Sequence, residues 1–456
     1  MAATLSQKFQ QNHILYTNLL DQVNPKHPLM VMARKIPWVD IETQLLSFYS
    51  VNGRPSKPVR LMVGLIILKQ MYNLSDDQVV NAWIENPYFQ AFCGETVFQW
   101  KMPCEPSDLT HFRNRIGKDG IELLFKMSIK LHGDKSNENM LIADTTVQEK
   151  NVTFPTDTKL CEKVIVKCRK IAIKEKIKLK RSYGREVSNL QRTVRFHKSN
   201  NPEKVDAARN RLNKIADTLV DELKRKLPKN AKDKYDDVLK IYDHAINQKK
   251  DDKNKVYSIH EPQVVCIAKG KEHKKYEYGS KVALAVTFNS CIIVATQIYS
   301  DNIYDGHTLS DLIAQSTKMT GKIPKTIVCD RGFRGEKTIG NTDILIPGAP
   351  LKENSDYQKR QAKKNFGRRS AIEPVIGHLK RDFRMARNFL KGSKGDVINA
   401  LLAATAFNLR KFMREIAARL FGIFFSFYYI LAKICKKYMK NALGERKYSL
   451  PYMVYP

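Results

Sequence analysis

Apolar residues recur at spacings of three and four along 366–390, FGRRSAIEPVIGHLKRDFRMARNFL, at Ile372, Val375, Ile376, Leu379, Phe383 and Ala386. That period predicts a helix with one buried face. The opposite stripe carries Glu373, Gly377, Lys380 and Arg384, so a single carboxylate stands on a basic ridge with Arg368 and Arg369 at its entrance. A lone acid among cations suits a metal ion flanked by phosphates. Ser370 followed by Glu373, with Pro374 next, also spells a capping box in a first helical turn. Taken alone, the helix leaves both readings open.

The chain from 1 to 135 reads as helical. VRLMVGLIILKQMY, opened by Pro58, is apolar on enough sides to be buried, and Ser75-Asp76-Asp77-Gln78 is a capping box for the next helix. Ser107-Asp108 caps a third, LTHFRNRIGKDG, with His111, Arg113, Asn114 and Arg115 expected to face outward. Such helices fit a helix-turn-helix DNA reader and fit ordinary three-helix packing equally well. A short apolar run at 140–143 then ends on Asp144, the pattern of a buried strand delivering a carboxylate.

The stretch 157–256 is long, helical and rich in Lys and Arg, and predicts a helical insertion that either clamps DNA or is simply solvated. Strand patterns return in QVVCIAKG, then in KVALAVTF and CIIVATQIYS, joined as a hairpin by Asn289-Ser290. A helix is expected over 307–319. TIVC at 326–329 is a short buried strand that also ends on an aspartate, Asp330 in VCDRGFRG, and 344–346 is a last strand. Residues 136–156 with 257–392 therefore predict an α/β core with helices over a mixed sheet, followed by C-terminal helices over 393–456. The apolar segment LFGIFFSFYYILA at 420–432 is shorter than the ~20 residues a membrane crossing needs, and predicts a packing or dimer helix.

Charge sharpens the picture. The chain has 79 Lys and Arg against 46 Asp and Glu, a net +33, which points to a polyanionic partner and to nucleic acid first. Its eight cysteines form no Cys-x-x-Cys pair, and the N-terminal MAATLSQKFQQNH lacks the apolar core of a signal peptide, so a cytoplasmic protein with reduced thiols is expected. Two strand-end aspartates and a helix glutamate, brought together, would repel one another unless a cation lay between them. Hard oxygen ligands suit Mg²⁺ or Mn²⁺, and two such ions serve in-line displacement at phosphorus. The combination predicts an enzyme acting on nucleic-acid backbones.

The chain resembles the DDE transposases of bacterial insertion sequences, in particular the large insertion-sequence-five family. Three blocks carry the resemblance: IADTTVQEKNVTFPTD, VCDRGFRG and RRSAIEPVIGHLK. The family's C-terminal signature has Tyr, Arg, Glu and Lys at fixed spacing; Arg369, Glu373 and Lys380 fit it, and Phe366 stands where tyrosine is expected. The NGRPSKPVRLMVGLIIL block and the NIYDGHTL segment around His307 extend the match.

The resemblance implies an RNase H-like core with Asp144, Asp330 and Glu373 as catalytic, metal-binding triad, holding two Mg²⁺ ions with Mn²⁺ as a substitute. It implies strand cleavage at the element's ends and attack of the freed 3′-OH on target DNA. Arg369 and Lys380 would hold the DNA backbone, with Arg384, Arg331 and His307 as further contacts. An all-α DNA-binding domain over 1–135 and a homodimer are expected, with terminal inverted repeats and target DNA as partners, no membrane partner and a cytoplasmic, nucleoid-associated location in a prokaryote. The rivals are a catalytically silent DNA-binding protein derived from a transposase and an RNase H-like structure-specific nuclease.

Overall fold

The computed structural model describes residues 18–50, 52, 55–196, 200–249, 251–268, 275–348 and 355–443, the side chains of 420–443 excepted. The chain divides into two compact units, one of residues 1–69, 74–109 and 408–456, the other of 70–73 and 110–407. The first is helical: α1 (Leu19–Gln22), α2 (Pro28–Lys35), α3 (Trp38–Leu46), α4 (Val59–Met71), α5 (Asp76–Glu85) and α6 (Pro87–Phe92). In α4, residues 61–71 are all buried, as its apolar breadth predicts. Its close approach to Cys93 needs a glycine, since a Cβ on Gly64 would stand 2.7 Å from the sulfur. Ser75 and Gln78 form the reciprocal capping box that opens α5. Trp38 meets Phe92 edge-on at 5.4 Å, and the Arg60 guanidinium lies 4.8 Å above the Trp38 ring.

Helix α7 (Pro106–Lys130) is interrupted at Gly117, whose φ of 55° places it in the left-handed region. Arg113 is buried and donates to the Thr110 hydroxyl at 3.0 Å, correcting the expectation that it faces outward. The reason is periodic: Leu109, Phe112 and Ile116 are buried at helical spacing, and position 113 falls on their face.

The second unit is built on seven strands, β1 (Met140–Glu149), β2 (Val265–Ala268), β3 (Tyr276–Thr287), β4 (Ile293–Tyr299), β5 (Thr326–Val328), β6 (Thr338–Ile339) and β7 (Thr342–Leu345). β3 pairs antiparallel to β1 from Leu141↔Thr287 to Glu149↔Gly279, and β4 and β2 pair with β3 in turn. On its other edge β1 takes β5 in parallel, then β7 parallel to β5 and β6 antiparallel to β7. The result is a mixed sheet with β1 inside it, flanked by helices, the RNase H-like arrangement. β1 does not end at Asp144: its pairing with β5 stops at Ile142, while the ladder with β3 carries the strand on to Glu149.

Between β1 and β2 the chain makes α8 (Asp157–Lys174), α9 (Gly184–Phe196), α10 (Pro202–Lys226) and α11 (Lys229–Asn247). Each is amphipathic, and together they enclose a core including Leu160, Val164, Cys168, Leu212, Leu219 and Leu239. Their Lys and Arg residues occupy the remaining faces. Then come α12 (Leu309–Thr320), α13 (Asp356–Arg369), α14 (Ile372–Asp382) and α15 (Gly392–Leu443). The apolar 420–432 segment lies within α15, with its side chains outside those described.

The single helix expected over 366–390 is therefore two, α13 and α14, with a turn after them. Ser370 and Ala371 break the first junction, and Phe383 ends α14. In the turn, Arg384 adopts φ 61° and the Met385 N–H bonds back to Leu379. A buried network fixes the start of α15: Lys150 pairs with Asp396 at 2.6 Å and Glu261 at 3.4 Å, and Ser280 and Asn388 also donate to Asp396. With partners for every charge, this cluster ties β1 and β3 to that helix.

Candidate active site

The two aspartates follow the same pair of strands. Ile142 pairs with Val328 as the last step of the parallel β1–β5 ladder, and each aspartate lies two residues beyond it, Asp144 still on β1 and Asp330 in the turn after β5. Asp144 accepts the Thr145 N–H at 2.7 Å, and its side chain is 18% exposed. Asp330 caps a short turn, Arg331–Phe333, by accepting the Gly332 N–H at 2.8 Å. Cys329 stands close to both. Burial pushes its thiol up first, and Asp330 and Asp144 push it further, with Arg369 opposing.

Glu373 reaches this pair through an arginine. Arg369 lies 3.9 Å from Asp144 and 3.3 Å from Glu373, so one guanidinium joins both acids. The Glu373 side chain is 61% exposed. Nor does it cap its helix: α14 has no side-chain cap, and the Ser370 hydroxyl donates instead to the Gly367 carbonyl. The capping-box reading therefore fails. Among the described residues no group of three His, Cys, Asp or Glu stands close enough to hold a metal ion. Asp144, Asp330 and Glu373 carry the oxygen donors that hard cations take, and Arg369 stands between two of them.

The other expected contacts are dispersed. Lys380 lies 3.8 Å from Glu277, a carboxylate only 6% exposed, whose second oxygen has no hydrogen-bond partner. Arg384 is not on the Glu373 stripe: it donates to the Asn73 carbonyl and lies 5.8 Å over Phe389. Arg331 is exposed in the turn after Asp330. His307 is exposed, its ring 5.5 Å from that of Tyr304. Arg368 serves the fold, donating to the carbonyls of Phe288 and Asn289 at the β3–β4 turn.

One part of this neighbourhood escapes sequence reading. Asp305 receives the Thr145 hydroxyl at 3.0 Å and the Lys281 ammonium at 2.8 Å, and its other oxygen faces Gly332 in the turn after Asp330. The signal was present in the NIYDGHTL segment, but nothing in that segment says which residue faces the site.

Comparison with known proteins gives the family. A family model described as a transposase domain matches residues 17–115, and one described as a transposase DDE domain matches 205–409. The second range includes Asp330 and Glu373 and opens inside the insertion, after Asp144. The uncharacterized protein ORF8 in the nfe locus of Rhizobium meliloti is 40% identical over 177 residues, 38% of this chain and 86% of that protein. No solved structure matches. An RNase H-like sheet with these family matches belongs to enzymes of nucleic-acid backbones. The chain is a member of the DDE transposases of insertion sequences, enzymes that cleave DNA and transfer its strands and that use divalent metal ions. DNA is its substrate. No helix among the described residues is long and apolar enough to cross a membrane.

Proposed function

We propose that this transposase belongs to the insertion-sequence-five group and acts through Asp144, Asp330 and Glu373. The observation that supports this reading is Arg369, 3.9 Å from Asp144 and 3.3 Å from Glu373, with Asp330 two residues past the last β1–β5 pair. The three acids would hold two Mg²⁺ ions, with Mn²⁺ as a substitute. Divalent cations so held stabilise the attacking and leaving oxygens of a displacement at phosphorus. The reaction is hydrolysis of one strand at the element's end, which leaves a 3′-OH, and then attack of that hydroxyl on a target phosphodiester.

Arg369 keeps Asp144 and Glu373 from repelling each other and is positioned to accept a phosphate in their place. Lys380, Arg331, Arg384 and His307 are proposed as backbone contacts, which position DNA without reading its sequence. Residues 1–135 would bind DNA, 136–156 with 257–392 would form the catalytic core, 157–256 would clamp the duplex with its basic faces, and 393–456 would supply C-terminal helices. A homodimer in the prokaryotic cytoplasm, handling two inverted repeats and a target, completes the reading.

The test is cleavage of a plasmid carrying the gene with its own flanking DNA, in Mg²⁺ and in EDTA. Breaks at two flanking repeats that need both metal and Asp330, judged with Asp330→Asn, are expected. Binding without breaks would reject the catalytic reading in favour of a silent DNA-binding protein.

A further inference from the structure

We propose that the groove between Phe154 and Phe196 binds unpaired DNA, its phenyl rings stacking on exposed bases while cations of the insertion take the phosphates. The inference deepens the reading of residues 157–256 as the DNA clamp and rests on it.

Helix phase places one of the rings. In α9, Val187 is buried and Leu190 and Val194 pack against the core of the insertion. At about 100° per residue, Phe196 falls on the opposite side of the helix from Val187. Arg192, one turn earlier, shares its side. Phe196 is therefore no core residue, and it is 69% exposed. Phe154 comes from the segment between β1 and α8 and is 61% exposed. Tyr278 of β3 braces it edge-on at 5.6 Å, and Tyr257 braces Tyr278 at 5.4 Å.

Both phenyls line one open cavity of about 870 Å³, together with Lys159, Arg192, Arg195 and Arg209. Glu162 is the single acid among its lining residues, half-buried and hydrogen-bonded to Gln191. Arg209 already pairs with Asp206 at 2.8 Å, whereas Lys159, Arg192 and Arg195 are exposed along the groove. Such an excess of cations attracts a polyanion. A duplex would satisfy the cations, but its bases are stacked on one another and give the phenyls nothing to hold. Unpaired bases satisfy both, since every base has a face that stacks on an aromatic ring. Phe154 lies ten residues past Asp144, a span of at most ~34 Å or about ten base steps, so one DNA molecule can reach both places.

Fluorescence anisotropy on the full-length protein compares labelled oligothymidine of about 20 nucleotides, longer than one stacking site needs, with a labelled duplex of equal length. Phe154→Ala and Phe196→Ala should each weaken oligothymidine binding about tenfold and leave duplex binding within about twofold. Phe154→Trp, which keeps a stacking face, should bind as the unaltered protein does. Arg192→Ala combined with Arg195→Ala should weaken both DNAs. Melting curves check that each variant is folded. The inference is overturned by absent oligothymidine binding, by equal losses on the duplex, or by phenyl variants that bind normally. A change in sedimentation of Phe196→Ala with oligothymidine binding intact overturns it too, and makes the groove a contact between copies. If the arginine double variant weakens the duplex while the phenyl variants do nothing, the clamp stands and this inference alone fails. If the double variant alters neither DNA, the clamp reading fails with it.

Discussion

At the residue scale, adjacent side chains in one segment do different work, and the geometry says which. Arg369 bridges Asp144 and Glu373, whereas Arg368 holds the carbonyls of Phe288 and Asn289. Arg368→Ala should therefore cost about 2 kcal/mol of stability, the scale for losing hydrogen bonds to a charged group, and leave cleavage per folded molecule unchanged. Arg369→Ala should do the reverse: cleavage falling about a hundredfold, the scale of one lost electrostatic contact to the reacting group, with little change in melting. Chemical denaturation beside single-turnover cleavage separates the two. Asp144→Ala, Asp330→Ala and Glu373→Gln should each abolish cleavage while DNA binding in a gel-shift assay persists. Substantial cutting by any of them removes that residue from the triad.

At the scale of elements, the β1–β3 ladder is the member on which the site depends, because it extends β1 past β5. Its tightest point is Gly279, where a Cβ would stand 2.0 Å from the Gln148 carbonyl oxygen. Gly279→Ala cannot be accommodated without moving a strand, and it should lower the melting temperature by several degrees or prevent folding, as thermal denaturation will report. The insertion is an element of another kind. Its helices enclose their own core, so Leu219→Ala, at a fully buried position, should cost ~2–5 kcal/mol in a urea titration. The periodicity of these helices was legible because each has one apolar stripe. The break between α13 and α14 was not, because Ile372, Val375 and Leu379 keep helical spacing on both readings, and nothing local says that Ser370 and Ala371 must turn.

At the scale of the whole molecule the net charge of +33 is the dominant quantity. DNA affinity should fall steeply with salt, log K dropping by about 0.9 per phosphate neutralised for each tenfold rise in salt. A flat response in a fluorescence-anisotropy titration would contradict a phosphate-dominated interface. The charge belongs to the composition and survives any rearrangement of the fold, which is why it identified the class of partner before any residue could be assigned a role.

The sequence by itself determined the kinds of element and the polyanionic partner, because amphipathic period and net charge are local or additive properties. It could not decide which side chains meet. That β1 and β5 lie side by side depends on a parallel register between strands almost two hundred residues apart, and the intervening insertion leaves no trace of that pairing in the chain. That Arg113 is buried was present in the spacing of Leu109, Phe112 and Ile116, but its charge argued the other way. That Asp305 pairs with Lys281 and faces the turn after Asp330 was decided only by tertiary packing, since a contact of this kind is fixed by backbone placement and not by any pattern along the chain.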